Sequence, residues 1–314
     1  MAIVANTFQS YQSIGTREDL ANTIYNISPS DVPFMSMIGR SKAKNTLVEW
    51  QSDSLSSPSA TNAQIEGDEY AYAAVTPTVR LGNYTQILRK TAIVSGSQQA
   101  GNHAGRDSEM SYQFAKLSKE IKRDLETSLT GKKERTVGSA SAARYMGGLE
   151  SWIVSNKSHG GSGATATYAA GSAVTDGTQR AFTETLLKAQ IQAAFTAGSD
   201  PSVIMLGPHN KQTFSGFAGR STARQNIDAE SIQASASLYA SDFGDMRVTV
   251  NRFSRDRTAF VLDPEYWSVA YFRDFKAEDV AKTGDALKKI LLCEATLVAK
   301  AEASAAKVAD LTTS

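Results

Sequence analysis

The side chains able to do metal or covalent chemistry are few and far apart. His103, His159 and His209 are the three histidines of a 314-residue chain, and Cys293 is its one cysteine. A zinc-type site needs Cys or His ligands paired at short spacing, and none of these four has such a neighbour. Each histidine therefore reads as a solvated or hydrogen-bonded side chain. Cys293 closes the apolar run 290–293 and reads as a small buried hydrophobe. Gly160-Gly161-Ser162-Gly163 has the composition of a phosphate loop but lacks the Gly-Lys-Ser/Thr ending, so it reads as a flexible loop. Asp124 and Glu126 are close in sequence, yet residues two apart on a helix point in different directions. Ser95 and Ser97 flank a glycine without forming a G-x-S-x-G elbow. No acid, base, nucleophile or ligand set converges. The chain reads as a non-enzyme with no cofactor and no metal.

With no reactive centre to hold, the elements have only surfaces to position. The clearest is 105–131, where Met110, Phe114, Leu117, Ile121, Leu125 and Leu129 recur every three or four residues. That is one face of an α-helix. Asp107 or Ser108 can cap its start, and Gly131 can end it in the left-handed C′ conformation. About 23 residues at 1.5 Å rise give a rod of roughly 35 Å.

Composition bounds the rest. At 41% hydrophobic and 21% charged, the chain is globular. No apolar run is long enough to cross a bilayer. The opening MAIVANTFQSYQ lacks the layout of a secretory signal. A lone cysteine permits no intrachain disulfide, the pattern of a chain folding in a reducing cytoplasm. The net charge is +1, and no basic patch stands out beyond Lys132-Lys133 and Lys288-Lys289. Nucleic-acid binding by counterion release asks for more than that.

Along the chain, a polar arm (1–15) precedes a short helix from Thr16 that stops at Ser28-Pro29. An apolar turn follows from Asp31 to Gly39. Residues 46–50 have strand character. The stretch 51–77 is polar and acidic without a period, and a strand covers 78–94. This reads as an extended hairpin arm with a long tip, or as an irregular surface loop. A short helix at 149–154 and a Gly/Ser/Ala/Thr loop at 157–177 come after the long helix. Then a helix at 181–197, a strand at 203–206, a helix or turn through 217, and strands at 246–250, 258–262 and 266–272 indicate helices packed on a sheet. The apolar stretch 285–300 fits helix or strand equally.

This order of segments resembles the major capsid proteins of tailed bacteriophages, in the Su-ten-like family. The resemblance is carried by Arg17-Glu18-Asp19-Leu20 with Ile24-Tyr25-Asn26-Ile27-Ser28-Pro29, by Pro33-Phe34, Glu49-Trp50-Gln51-Ser52-Asp53 and Glu66-Gly67. Asn83-Tyr84-Thr85-Gln86-Ile87, Val94-Ser95-Gly96, Gly105-Arg106 and the run 119–126 continue it. It is specific over about 10–155 and matches in layout beyond. It implies an α+β chain with the Johnson-type, or Hong-Kong-ninety-seven-like, capsid fold. The parts would be an N-arm (1–40), an extended loop (41–94) and a peripheral domain (95–180) holding a spine helix at 106–130 and a flexible loop at 157–177. An axial domain (181–275) and a C-terminal return to the peripheral domain (276–314) would complete it, which favours strand at 285–300. The spine stripe named above would form its packing face. Phe8, Tyr11, Arg17 and Asp19 on the arm, and Trp50, Asp53, Glu66, Asp68, Glu69, Tyr70 and Tyr72 on the loop, would contact neighbouring subunits.

The implied function is a subunit that self-assembles into pentamers and hexamers of an icosahedral head enclosing double-stranded DNA. The implied partners are further copies, a separate scaffolding or cement protein, and a portal at one vertex. The packaged DNA would lie close to a near-neutral inner face, and no membrane is involved. Residues 55–77 contain no lysine, so the shell is expected to lack the lysine–asparagine cross-link of some relatives. The start of the spine near 106 leaves no room for a large scaffolding domain before it. A tail or baseplate component, an encapsulin-like compartment shell and an enzyme are the competing classes.

Overall fold

The computed structural model describes residues 31–69, 72, 74–103, 105–165, 173–217 and 237–313. The expected helix from Thr16 and the arm residues Phe8, Tyr11, Arg17 and Asp19 lie outside them, as does Tyr70.

Helix α3 runs Glu109–Thr130, 22 residues, and the hydroxyl of its N-cap Ser108 accepts from Ser111 N–H. Met110, Ile121, Leu125 and Leu129 are buried, while Phe114 and Leu117 are half-buried. The helix does not end as expected. Gly131 has φ −71°, outside the left-handed region. The glycine that the ending requires is Gly148, whose Cβ would meet Gly131 O at 2.2 Å. The returning chain passes too close to the helix end for any side chain there.

The buried stripe of α3 faces a four-stranded sheet in the order β1-β10-β11-β4, made of β1 (Gly39–Lys42), β10 (Trp267–Val280), β11 (Ala286–Ala299) and β4 (Gln86–Ser95). The ambiguous C-terminal stretch is thus a strand. It is central, antiparallel to β10 on one side and to β4 on the other, so both its backbone edges are satisfied. The strand expected at 78–94 is two strands, β3 (Val79–Tyr84) and β4, broken at Thr85, where the chain leaves one sheet for another. β3 pairs with β2 (Leu47–Ser52) as a separate two-stranded ribbon.

A six-stranded sheet in the order β5-β12-β9-β6-β8-β7 forms the second layer. Its strands are β5 (Asn156–Ser158), β6 (Val203–Leu206), β7 (Leu238–Ser241), β8 (Gly244–Val250), β9 (Ala259–Leu262) and β12 (Ala306–Val308). β6 and β9 are buried on both faces, and their period-two alternation divides two cores. Met205, Phe260 and Leu262 join Ile121, Leu125, Leu129, Trp152 and Trp267. Ile204, Leu206 and Val261 join Phe182, Leu187, Ile191 and Phe214, from α5 (Glu184–Thr196), α6 (Pro208–Ser215) and the segment before them. The shared core fixes the two sheets against each other.

Two expected boundaries shift. Position 275/276 falls inside β10, because the long ladder with β11 continues through it. The chain's last strand, β12, lies in the six-stranded sheet between β5 and β9, not with β11. Short strands like β5 and β12 have too few residues to show a period of their own.

Candidate assembly surfaces

The ribbon β2–β3 is anchored at its root and bare at its tip. At the root, Asn83 is fully buried. Its Nδ2 donates to Gly147 O (3.0 Å) and Leu297 O (2.8 Å), and its Oδ1 accepts from Gly147 N (2.8 Å). Beside it Thr85 Oγ1 donates to the buried Glu294 carboxylate (2.6 Å), which also binds Arg144 (2.6 Å) and Arg273 (2.8 Å). Trp50 was expected to face a neighbour. It is half-buried and packs on Trp152 of α4 (Leu149–Trp152), with ring centroids 5.2 Å apart.

Beyond Ser52 and Val79 the chain has no ladder. Asp53, Glu66, Asp68 and Glu69 are exposed, with Asp53 and Asp68 turned back to accept from the next residue's N–H at 2.9 Å. Tyr72 is 96% exposed. Sequence reasoning missed the apolar members of the tip: Leu55 (99% exposed), Ile65 (81%) and Val75 (92%). Each is a large aliphatic residue isolated in a polar run, which was the available signal. Together the tip presents four carboxylates, no cation between 53 and 78, and four large side chains in water. Four large apolar side chains exposed on one excursion away from the chain's core make the tip a candidate contact surface.

Three polar joints tie the elements of the body together. The first is Glu126, fully buried on α3. It accepts from Phe34 N–H (2.7 Å) and Met35 N–H (2.8 Å) of α1 (Pro33–Met37), and from Asn251 Nδ2 (2.7 Å) after β8. Burial pushes its carboxyl up, against those three donors, which favour the charged form. The second runs from Lys132 to Asp176 (2.7 Å), on to Arg255 (2.8 Å) and to buried Glu150 (2.9 Å). Desolvation opposes it, but Lys132 and Arg255 hold Asp176 down to about 2. Buried Lys307, pulled down to about 8 by desolvation, donates to Glu150 O at 2.6 Å.

The third joint explains the glycine run. Asp310 accepts from Gly160 N (3.1 Å), Gly177 N (2.7 Å) and Arg257 (3.1 Å), and faces His159 Nδ1 at 3.3 Å. A Cβ on Gly163 would meet Asp310 Oδ2 at 2.4 Å. The glycines wrap a carboxylate of their own chain, not a phosphate. The described parts of the expected flexible loop 157–177 are therefore clamped at both ends. His159 also meets Thr165 Oγ1, and His103 meets Gln98 O, so both are hydrogen-bonded as expected; His209 is half-buried in α6. Among the described residues no three His, Cys, Asp or Glu side chains group to hold a metal, and no helix is long and apolar enough to cross a membrane.

Comparison with known proteins agrees on one architecture. The family model described as SU10 major capsid protein matches residues 3–312. A major capsid protein of Escherichia phage Phieco32 is 29% identical over 326 residues, covering 92% of this chain and 93% of that one. Among solved structures, the Cyanophage A-1(L) capsid asymmetric unit superposes with TM-score 0.68 at 14% identity, covering 97% of this chain and 99% of that one. A Gordonia phage Cozz chain superposes with TM-score 0.63 at 9% identity, covering 99% and 98%. At such identities these likenesses speak for the fold, which is the Hong-Kong-ninety-seven-like capsid fold.

Proposed function

This chain belongs to the SU10 major capsid protein family, and on that premise we propose that its copies close into the pentamers and hexamers of an icosahedral tailed-phage head around double-stranded DNA. It is a structural protein of the virion, and it works by self-association. The observation that carries the reading is the ribbon 47–84: a rigid root locked by Asn83, and a tip whose Leu55, Ile65, Tyr72 and Val75 have no cover within the described chain. Closed symmetry supplies that cover by repeating one patch on every copy. Each contact is modest, and multiplicity makes the shell stable.

In this scheme residues 1–40 form an N-arm rooted at Glu126 through α1. Residues 41–94 hold the extended loop, and α3 with the four-stranded sheet forms the peripheral domain. The six-stranded sheet with α5 and α6 forms the axial domain near the symmetry axes. Asp53, Glu66, Asp68, Glu69 and Tyr72, with Leu55, Ile65 and Val75, contact the adjoining copy. Tyr70 and the arm residues Phe8, Tyr11, Arg17 and Asp19 are proposed to do the same. A separate scaffolding or cement protein and a portal complete the head.

Electron microscopy of the expressed chain tests the scheme. Closed shells support it, and a single band on a denaturing gel of those shells supports a head without covalent cross-links. Tubes or small rings would instead indicate a tail component, and a discrete oligomer turning over a substrate would indicate an enzyme.

A further inference from the structure

Helix α3 carries four basic residues, Lys116, Lys119, Lys122 and Arg123, and four acidic ones, Glu109, Glu120, Asp124 and Glu126. Its sequence is neutral, which hid what folding does with it. Glu126 is buried under α1, and Glu109 is buried against Arg106. Glu120 and Asp124 reach towards β4, where Lys90 lies 3.9 and 2.7 Å from them. Two of the carboxylates are thus buried, and the other two lean towards β4 while staying partly exposed. Lys119 and Lys122 are exposed and make no ion pair among the described residues. Lys116 touches Glu120 only at 4.0 Å, and Arg123 lies over the Phe253 ring at 5.2 Å. Positions 116, 119 and 123 share one helix face, with 122 at its edge.

We propose that this outward stripe of α3 contacts the phosphate backbone of duplex DNA, which makes it the inward face of the shell subunit. The chemistry selects this occupant over the other available polyanion, the acidic hairpin tip of a second copy. That tip brings Leu55, Ile65, Tyr72 and Val75, which need an apolar seat. The other exposed positions of α3 are Ser111, Ala115 and Thr127, which flank the cations along the helix and add no large apolar side chain. Protein interface cores are apolar and depleted of lysine, whereas sequence-independent DNA contact uses lysine on phosphate and little else. An apolar seat exists on β4 instead. There Ile87, 49% exposed, lines an open cavity of about 410 Å³ with Val137, Ala142, Ala143 and Arg144, and Ile93, 66% exposed, lies further along the strand. From Lys116 to Arg123 the helix rises about 10 Å, a length over which duplex DNA carries roughly six phosphate charges. The contact is therefore weak per copy and lost in salt, as a shell that must fill and empty requires.

This rests on the shell reading and is tested separately from it. Binding of the purified full chain to a 30-base-pair duplex is measured by fluorescence anisotropy across potassium chloride concentrations. The double variant Lys119→Gln/Lys122→Gln loses two phosphate contacts, so the slope of log K against log salt falls by about 1.8. Both positions are exposed, and glutamine is nearly as good a helix former as lysine, so circular dichroism and particle formation remain as in the parent. The control Lys288→Gln/Lys289→Gln keeps the parent slope. A parent chain that does not bind the duplex, an unchanged slope in the stripe variant, or an equal fall in the control overturns the proposal. So does a carbodiimide cross-link joining Lys119 or Lys122 to the hairpin tip in assembled particles. Absence of closed particles from the parent chain would instead refute the shell reading.

Discussion

Glu126 gives the sharpest test of how the N-terminal segment is fastened. Replacing it with alanine leaves three buried donors, Phe34 N–H, Met35 N–H and Asn251 Nδ2, without their acceptor. Each orphaned donor costs roughly 1–3 kcal/mol. The three share one site, and α1 can rise towards water, so the sum is sub-additive: about 3–5 kcal/mol for Glu126→Ala, within the range for broken buried networks. Glu126→Gln keeps the shape and one acceptor oxygen but turns an NH2 group towards a donor, at about 2 kcal/mol. The assay is amide hydrogen exchange at Phe34 and Met35 in the full chain. At 1.4 kcal/mol per decade, Glu126→Ala accelerates exchange there by about a hundredfold or more. The amides of β6, which do not touch Glu126, change least. Exchange at Phe34 and Met35 within threefold of the parent would refute the claim that this carboxylate pins α1 to the spine.

Three further outcomes follow from the same geometry. Asn83→Ala removes both donors and the acceptor at the ribbon's root, lowering stability by about 2–4 kcal/mol in urea denaturation; a loss under about 0.5 kcal/mol would show that the root is held otherwise. Leu55→Ser/Ile65→Ser leaves the subunit's denaturation midpoint unchanged, since both side chains are exposed, yet abolishes particles in sedimentation; normal particles would remove the tip from the assembly contacts. Asp176 is depressed from 3.8 to about 2. A depressed acid contributes stability above its unfolded pKa and loses it as pH falls through the folded one. The parent therefore loses stability relative to Asp176→Asn between about pH 4 and pH 2, and parallel pH curves for the two would contradict the Lys132–Asp176–Arg255 chain.

Local signals were legible where one residue type decides. A cap for α3 at Asp107 or Ser108, the strand at Val203–Leu206 and the helix ending by 197 could all be read directly. Features set by distant neighbours could not. β1 exists because β10 offers an edge 229 positions away, Gly39 to Ser268. The loop 157–177 looked flexible because its partner, Asp310, is 133 residues from Gly177. The break at Thr85 follows from Glu294, 209 residues on. The basic stripe of α3 was invisible to a charge count, because burial sorts charges by side and composition does not.

The most direct measurement is a cryo-EM reconstruction of assembled particles that traces residues 47–84. Closed icosahedral shells are expected, in which the tip of every ribbon lies on another copy with Leu55, Ile65, Tyr72 and Val75 buried. A shell whose ribbons fold back on their own subunits, or stand free in solvent, would contradict this.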